Sequence, residues 1–291
     1  MAALALRPDS PGANVNLGAA QFANNELDDA IACFQKAIRL KSDYAAAHYD
    51  LGMALARKGN QDRAIACFQE AIRLKPDFFE AHNNLGAVLK DKGELDKAIA
   101  CFEQAIRLNR EVAEFHFNLG KALRKKGELD RAIACQRKGL SLKADPVAYY
   151  NLGIWLNMKD EFDEAITCYE KAIALKYDYA EAYCNLAGVL REKGRFKEAL
   201  DAMRHGHDLG TRRGQWRYPT AKLIPEYEKL VELEAKLPDF FAGVSHPASV
   251  GECLMLARMC LQYKQLPAAA ARWYEEAFSL DARLADPGPW P

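Results

Sequence analysis

The chain has 291 residues, a formal net charge of zero from 40 basic and 40 acidic side chains, and a hydrophobic fraction of 50%. The neutral balance argues against a nucleic-acid-binding protein, which usually carries a basic excess, and the hydrophobic fraction excludes an intrinsically disordered chain. The sequence shows neither an apolar run long enough to span a membrane nor the basic leader of a signal peptide. We therefore expect a soluble, cytoplasmic protein without a nucleic-acid or membrane partner.

The first ten residues resemble the end of a helix that recurs later in the chain. The stretch ALALRPDS at Ala3–Ser10 aligns with the segment around Ala71–Pro76. We predict that residues 1–10 are the second-helix remnant of a preceding repeat. Because half a repeat is a poor cap for the end of an array, we expect the chain to be a piece of a longer protein or a shortened gene product.

A segment of nearly constant sequence recurs between residues 11 and 209. It reads AIACFQKAIRL from Ala30, AIACFQEAIRL from Ala64 and AIACFEQAIRL from Ala98, so the period is 34 residues. A Leu-Gly pair recurs with the same period, starting at Leu17, Leu51, Leu85, Leu119 and Leu152, and Leu186 stands before alanine instead. A fixed period of this length predicts a stacked array, here of six repeats.

The residue pattern within each repeat predicts two antiparallel helices. Apolar residues have helical spacing over a first helix such as Tyr44–Lys58, and Gly59 follows where a left-handed residue would end it. A second helix such as Asp62–Leu74 ends before Pro76. The predicted fold class is an all-α, right-handed α-solenoid of antiparallel helix pairs. In the sixth repeat Gly206 replaces the usual alanine, which predicts a frayed second helix.

The period is lost beyond residue 210. The sequence of residues 210–250 predicts a loop, then a helix from Lys222 to Leu237, and then a linker. Apolar residues return to repeat-like spacing over residues 251–282, which predicts a degenerate helix pair. For residues 283–291 we predict a tail without a helix.

Two resemblances follow from these segments. The stretch AHNNLGAVLKDKGELDKAIACFEQAIRL from Ala81 resembles the tetratricopeptide repeat, which implies a scaffold that binds proteins in a concave groove. Residues 215–287, with Trp-Arg-Tyr-Pro, LVELEAKLP and AAAARWYEEAF, resemble the region that follows such repeats in large serine/threonine protein kinases of planctomycete-type bacteria. The kinase domain precedes the repeats in that family, so no kinase activity is implied for this chain.

No motif for catalysis or cofactor binding is present. The sequence lacks a phosphate-binding glycine loop, the kinase motifs and a nucleophile elbow. His48, His82 and His116 recur with the repeat, but equivalent positions of adjacent repeats lie about 10 Å apart, too far to share a zinc ion. We therefore predict packing roles for them, and a non-enzymatic chain without cofactor or metal. Five of the eight cysteines also recur at the same position of successive repeats. Because such positions lie too far apart for a disulfide, we predict free, buried thiols.

The resemblance to the tetratricopeptide repeat implies which residues bind a partner. The residue before each anchor leucine faces the groove in such repeats, and we call these positions the amide ladder: Asn16, Asp50, Asn84, Asn118, Asn151 and Asn185. One position earlier lie Tyr49, Asn83, Phe117 and Tyr150. The predicted acidic edge is Glu80, Glu114 and Glu181, and the predicted basic edge is Arg57, Lys90, Arg124, Lys125 and Arg191. Side-chain amides both donate and accept hydrogen bonds, so the ladder can bind an extended peptide.

Three functions remain open at this point. The first is a standalone interaction scaffold that binds a protein or peptide segment. The second is the substrate-docking or regulatory C-terminal part of a bacterial serine/threonine kinase, and the third is the repeat arm of a protein O-glycosyltransferase. The ladder also fits a structural role, because consensus repeats often carry asparagine there. Glu80 and Glu114 stand where a carboxylate clamp needs basic residues, so we predict no binding of an acidic chaperone tail.

Overall fold

The structure of the protein is a computed structural model that describes residues 10–214, 216 and 218–281. These residues form fifteen α-helices and one π-helical turn, and no β-strand occurs among them. Consecutive helices pack against each other in pairs, so the predicted all-α fold of helix pairs is confirmed. The predicted remnant at residues 1–10 lies outside the described residues except for Ser10, and the predicted tail at 283–291 lies wholly outside them.

The chain separates into two compact units, residues 1–144 and 145–291. The described helices of the first unit are α1 (Pro11–Ala23), α2 (Leu27–Leu40), α3 (Ala45–Arg57), α4 (Gln61–Leu74), α5 (Phe79–Lys92), α6 (Leu95–Leu108), α7 (Ala113–Lys126) and α8 (Leu129–Leu142). The second unit contains α9 (Pro146–Asn157), α10 (Phe162–Leu175), α11 (Ala180–Glu192), α12 (Phe196–Thr211), α13 (Thr220–Ala242), α14 (Val250–Arg258), the π-helical turn Met259–Tyr263 and α15 (Pro267–Leu280). Up to α12, the odd-numbered helices are the first helices of the repeats and the even-numbered helices are the second.

The glycine of the Leu-Gly pair brings the two helices of a repeat into close contact. A Cβ atom on Gly52 would lie 2.8 Å from the ring of Phe68, and one on Gly153 would lie 2.7 Å from the ring of Tyr169. Both rings are at most 1% exposed. The pairing of a glycine on the first helix with an aromatic on the second therefore explains why the two motifs recur together.

The turns inside the repeats use left-handed residues as predicted. Gly93 has φ +89° and Gly127 has φ +94°, and each ends a first helix. Asn25 and Asp160 occupy the corresponding turns of two other repeats with φ of 65° and 58°. Asparagine and aspartate tolerate this conformation better than other non-glycine residues, so the repeat keeps its turn without glycine there.

The prediction of a frayed sixth repeat is wrong. Helix α12 continues to Thr211, and Gly206 is buried within it. A Cβ atom on Gly206 would lie 2.5 Å from Cys184 Sγ and 3.0 Å from the carbonyl oxygen of Ala180. The glycine thus allows α12 to approach α11 closely, and this packing outweighs its low helix propensity.

Helix α13 extends beyond the predicted end at Leu237. It runs to Ala242 and includes Pro238, whose missing N–H group costs a helix interior about 3 kcal/mol. Phe240 is only 2% exposed, with its ring centroid 6.0 Å from that of Trp273. Burial of a phenylalanine contributes about 1.5–3 kcal/mol, which offsets most of the cost of the proline. The assignment of α14 and α15 to a degenerate repeat stays a prediction.

The three recurring histidines secure the turn that precedes each first helix. Nε2 of His48, His82 and His116 lies 3.0, 3.1 and 3.1 Å from the backbone carbonyl oxygen of the residue six positions earlier. Among the described residues, no group of three or more histidine, cysteine or acidic side chains could hold a metal ion. The histidines therefore recur because the turn recurs.

Candidate functional site

The amide ladder bonds to the preceding repeat. Asn84 Nδ2 donates to Tyr49 Oη at 2.8 Å, Asn118 Nδ2 donates to Asn83 Oδ1 at 3.0 Å, and Asn185 Nδ2 donates to Tyr150 Oη at 3.1 Å. In each pair the acceptor stands 35 positions before the donor. The ladder thus joins the first helices of neighbouring repeats, a contact that the sequence pattern did not predict.

The remaining ladder positions differ in exposure. Asn16 is exposed on α1, whereas Asp50 and Asn151 are half-buried on α3 and α9. Burial raises the pKa of the Asp50 carboxyl from 3.8 to about 6. The ladder therefore contains one carboxylate whose charge is disfavoured by its surroundings.

Tyr49 lies at the centre of the predicted site in the first unit. Its ring centroid is 4.8 Å from that of Phe78 and 5.9 Å from that of Phe68. Burial, followed by the negative charges of Glu80 and Asp50, raises the pKa of Tyr49 to about 12. The hydroxyl therefore stays protonated and can donate a hydrogen bond to a ligand while it accepts one from Asn84.

The predicted acidic edge lies beside Tyr49. Glu80 is half-buried and Glu114 is exposed, and the charges of both raise the pKa of the tyrosine. In the second unit, Glu181 Oε2 lies 3.6 Å from Arg213 Nη1. The acidic edge therefore differs between the two units, because Glu181 in the second unit already pairs with a basic side chain of its own chain.

The predicted basic edge lies at the C-terminal ends of the first helices. Arg57 Nη1 donates to the carbonyl oxygen of Phe22 at 3.3 Å, and Lys125 Nζ donates to that of Lys90 at 3.2 Å. Arg124 is half-buried one position before Lys125. Cations are favoured at helix C-termini, where carbonyl groups lack partners. Arg57 and Lys125 thus help to hold adjacent repeats together.

A pocket of about 320 Å³ lies between α1, α3, α4 and α5 of the first unit. Asn84 and Arg57 border it, and both belong to the predicted site. Its apolar lining is formed by residues that were not predicted: Phe22, Met53, Ala56, Phe68, Ala87 and Val88. Met53 and Ala87 stand three positions after Asp50 and Asn84, so the periodicity of a helix could have identified them.

Phe117 contributes to packing between the helices of its own repeat. A Cβ atom on Gly139 would lie 2.3 Å from its ring, so the ring fills space that the usual alanine would close. Gln136 stands on α8 where four other repeats have a large aromatic residue and the sixth has Met203. The fourth repeat therefore keeps an aromatic contact between its helices, but supplies the ring from α7.

Family models of the tetratricopeptide repeat match the chain from residue 2 to residue 212. The matched segments are residues 2–45, 15–78 and 49–100, 86–127, 113–146 and 146–212. The chain belongs to the tetratricopeptide repeat family. Among curated proteins, none matches it significantly.

Solved structures of other tetratricopeptide repeat proteins share the fold. MamA is 27% identical over 56% of this chain and 96% of its own, with a TM-score of 0.54. YrrB, a TPR protein with an unusual peptide-binding site, is 26% identical over 62% of this chain and 93% of its own, with a TM-score of 0.52. The APC/C heterotetramer Cut9–Hcn1 matches 77% of this chain and 44% of its own at 18% identity, with a TM-score of 0.60. The last of these supports the fold alone.

The tetratricopeptide repeat matches end at residue 212. They therefore give no support to the resemblance of residues 215–287 to a kinase-associated region, and the structures named above give none to a glycosyltransferase arm. None of the helices in the described part of the chain is both long and apolar enough to cross a membrane.

The predicted site residues of the second unit contact other parts of their own chain. Arg191 forms an ion pair with Glu192 at 2.8 Å, lies 3.6 Å from Glu226 of α13 and has its guanidinium 5.7 Å from the ring centroid of Tyr227. Tyr150 Oη lies 3.4 Å from Tyr218 Oη. Residues that follow the last matched repeat therefore cover part of the predicted surface in this unit.

Proposed function

We propose that the chain is a non-catalytic scaffold that binds an extended segment of a partner protein on the first helices of the first unit. The observation that supports this most directly is the pocket of about 320 Å³ that Phe22, Met53 and Ala87 share with Asn84 and Arg57. Binding sites for ligands are typically concave and apolar, with a few polar groups that fix orientation. The similarity to YrrB, which has a peptide-binding site, supports the same function.

The charges along the first helices of the first unit favour one kind of segment. Glu80, Glu114 and Asp50 act on Tyr49, so a basic group of the partner is favoured near that ring. Arg57 borders the opposite part of the site, where an acidic or carbonyl group of the partner is favoured. An acidic chaperone tail meets repulsion near Tyr49 and is not expected to bind.

The amide ladder is a poor target for a test of this function. Asn84 and Asn118 stabilise the stacking of repeats through their hydrogen bonds, and each such bond contributes about 1 kcal/mol. Alanine at Asn84, Asn118 and Asn151 together is therefore expected to reduce stability as well as partner capture. A clean test must block the pocket without removing these bonds.

Two alanines of neighbouring helices provide a matched pair of variants. Ala87 lies in the pocket on α5, and Ala66 is exposed on α4. Peptides selected from a displayed library on the full chain are expected to bind the Ala87→Arg variant at least about tenfold more weakly, because losing a pocket anchor removes 1.4 kcal/mol or more. The Ala66→Arg variant is expected to bind like the original chain, with circular dichroism as a check on helix content. Selected peptides that bind both variants equally would refute the proposal.

A second candidate is the docking part of a bacterial serine/threonine kinase. The observation that favours it is the resemblance of residues 215–287 to the region that follows the repeats in such kinases. Sequencing the gene upstream of Met1 and mapping the 5′ end of its transcript tests this candidate. An in-frame kinase domain would support it, whereas a genuine start at Met1 would contradict it.

A further inference from the structure

The surface along the first helices of the first unit changes from apolar to basic between α5 and α7. Met53 of α3 and Ala87 of α5 line the pocket, and each stands three positions after a ladder residue. The residue at the same place on α7 is Lys121, and Lys125 stands where α5 has Asp91. The apolar pocket is therefore followed, one repeat later, by two lysines.

The amide that borders the pocket is already bonded within the chain. Asn84 Nδ2 donates to Tyr49 Oη at 2.8 Å and to Met53 Sδ at 2.9 Å, and its amide oxygen accepts from Asn83 Nδ2 at 3.1 Å. A polar side chain that entered the pocket would have to compete for these bonds. The pocket therefore favours an apolar side chain.

The charged residues of the pocket are held at its edge. Arg57 donates to the carbonyl oxygen of Phe22 at 3.3 Å, and its guanidinium lies 5.1 Å from the centroid of the Phe22 ring. Asp91 Oδ1 lies 3.3 Å from Lys90 Nζ. A partner side chain that enters between these two charges meets the buried ring of Phe68.

The two lysines of α7 can bind a carboxylate. Both are exposed, and Lys121 forms no ion pair with any residue that the structure describes. Lys125 donates one hydrogen bond, to the carbonyl oxygen of Lys90 at 3.2 Å, and an ammonium group has three donors. Hydrogen bonds from an ammonium to a carboxylate are among the stronger ones in proteins, so an acidic side chain is favoured here.

The acidic edge does not cancel this basic surface. Glu114 stands seven positions before Lys121 and eleven before Lys125 on the same helix, which places them about 10 and 16 Å apart along its axis. The Debye length at physiological ionic strength is about 8 Å. Repulsion by Glu114 is therefore largely screened for a carboxylate that pairs with the two lysines.

The distance between neighbouring repeats sets the spacing of the partner's side chains. Equivalent positions of adjacent first helices lie about 10 Å apart. A polyproline II segment has three residues per turn and rises about 3.1 Å per residue, so residues three positions apart lie on one side of it, about 9 Å from each other. Such a segment can cross from the pocket to α7 with one side chain at each place.

We infer that the first unit binds an extended segment of a partner protein that carries an apolar side chain and, three residues away, a carboxylate. The apolar side chain occupies the pocket beside Ala87, and the carboxylate pairs with Lys121 and Lys125. This inference rests on the proposed function, since it names the chemistry of the segment that the first unit binds.

Selection of peptides from a random displayed library on the full chain is the first test. We expect the enriched peptides to share an apolar residue with aspartate or glutamate three positions from it. The same selection on the Lys121→Glu variant is expected to enrich lysine or arginine at that position instead, because the charge that it faces has been reversed.

Titration of one labelled peptide from the first selection, followed by fluorescence anisotropy, measures the effect on affinity. Lys121→Glu is expected to weaken binding by about fivefold or more, because the reversal removes an attraction and adds a repulsion. Added salt is expected to weaken binding to the original chain and not to the variant, since it screens attraction in one and repulsion in the other. A peptide with its carboxylate residue changed to lysine is expected to bind the original chain weakly and to regain affinity for Lys121→Glu.

An arginine of a second helix provides the matched control. Arg63 is exposed on α4, and Arg63→Glu changes the net charge by the same amount as Lys121→Glu. It is expected to leave the affinity of the peptide within about twofold, since exposed charges outside an interface affect binding little. Circular dichroism checks that both variants keep their helix content.

Three results would overturn the inference and leave the proposed function standing, provided that the selected peptides remain sensitive to Ala87→Arg. The first is a set of enriched peptides without an acidic residue three positions from the apolar one. The second is equal affinity for the original chain and Lys121→Glu, and the third is an equal loss of affinity in Arg63→Glu. Self-association of the chain that disappears in Lys121→Glu would also overturn it, because the occupant would be a second copy. If no peptide is enriched, both the inference and the proposed function fail.

Discussion

Asp50 is the one carboxylate in the amide ladder, and its replacement by asparagine is expected to stabilise the first unit near neutral pH. Burial raises the pKa of its carboxyl from 3.8 to about 6. A shift of about two units corresponds to about 3 kcal/mol of stability lost when the group is ionised. Because the side chain is only half-buried, we expect Asp50→Asn to recover about 1–3 kcal/mol.

The gain must depend on pH in a defined direction. Below about pH 4 the carboxyl is protonated in both the folded and the unfolded chain, so its removal gains nothing. As the pH rises from about 4 to 6, the unfolded chain loses this proton while the folded chain keeps it, and the original protein loses stability relative to the variant. Above about pH 6 the full difference remains.

The stability gained by Asp50→Asn is expected to come only from removing the buried charge, because the new amide has no hydrogen-bond acceptor in the preceding repeat. Asn84 bonds to Tyr49, which lies 35 positions earlier, but the residue 35 positions before Asp50 is Val15. Valine has no side-chain acceptor, so an asparagine at position 50 gains no equivalent hydrogen bond.

Hydrogen exchange of peptides from α3 is the suitable assay, because repeat arrays open locally and denaturation of the whole chain is not a two-state process. Asp50→Asn is compared with the original chain at about pH 7 and pH 4. Asp43→Asn, a change at an exposed aspartate, serves as the control. An equal effect of Asp50→Asn at both pH values, or no effect at the higher one, would show that burial of the charge is not costly.

Three further predictions concern the repeats of the first unit. Gly86→Ala is expected to destabilise its repeat by about 1–3 kcal/mol through overpacking, because its Cβ would lie 2.8 Å from the facing ring. Gly12→Ala, whose Cβ would meet nothing within 4 Å, is expected to be neutral, and hydrogen exchange of the affected helices measures both. Tyr49→Phe removes the acceptor of the Asn84 amide and is expected to cost about 1 kcal/mol; unchanged exchange rates in α3 and α5 would contradict this. Burial raises the pKa of the Cys101 thiol, so its alkylation near pH 8 is expected to be slower than that of a free thiol, and a rate equal to that of a cysteine peptide would show that the site opens readily.

The sequence predicts most of the fold because the contacts that define each repeat are local. Helix period, left-handed turns such as Gly93 and the pairing of Gly52 with Phe68 all connect residues within one repeat of 34 positions. Such contacts leave a recurring pattern because every repeat must satisfy them in the same way. The family and the helix pairs could therefore be predicted with few errors. The fraying predicted at Gly206 was wrong because it considered helix propensity alone and not the close packing of α12 against α11.

The candidate site was only partly predictable, because its geometry joins residues of different repeats. The acidic and basic edges were placed from the family pattern, but the pocket residues Phe22 and Met53 were missed, and the bond from Asn84 to Tyr49 was not expected.

The sequence by itself determined the repeat, the pairing of its helices and the family, since a constant period must correspond to a constant local structure. The tertiary structure decided that ladder amides bond to the preceding repeat, because this depends on how far successive first helices are displaced along each other. It also decided that Arg213 and Tyr218 return to the second unit's own repeats. A loop without a period carries no pattern of its contacts, and the position of this one depends on the space beside Gly210 and on the charges of Asp178 and Glu181.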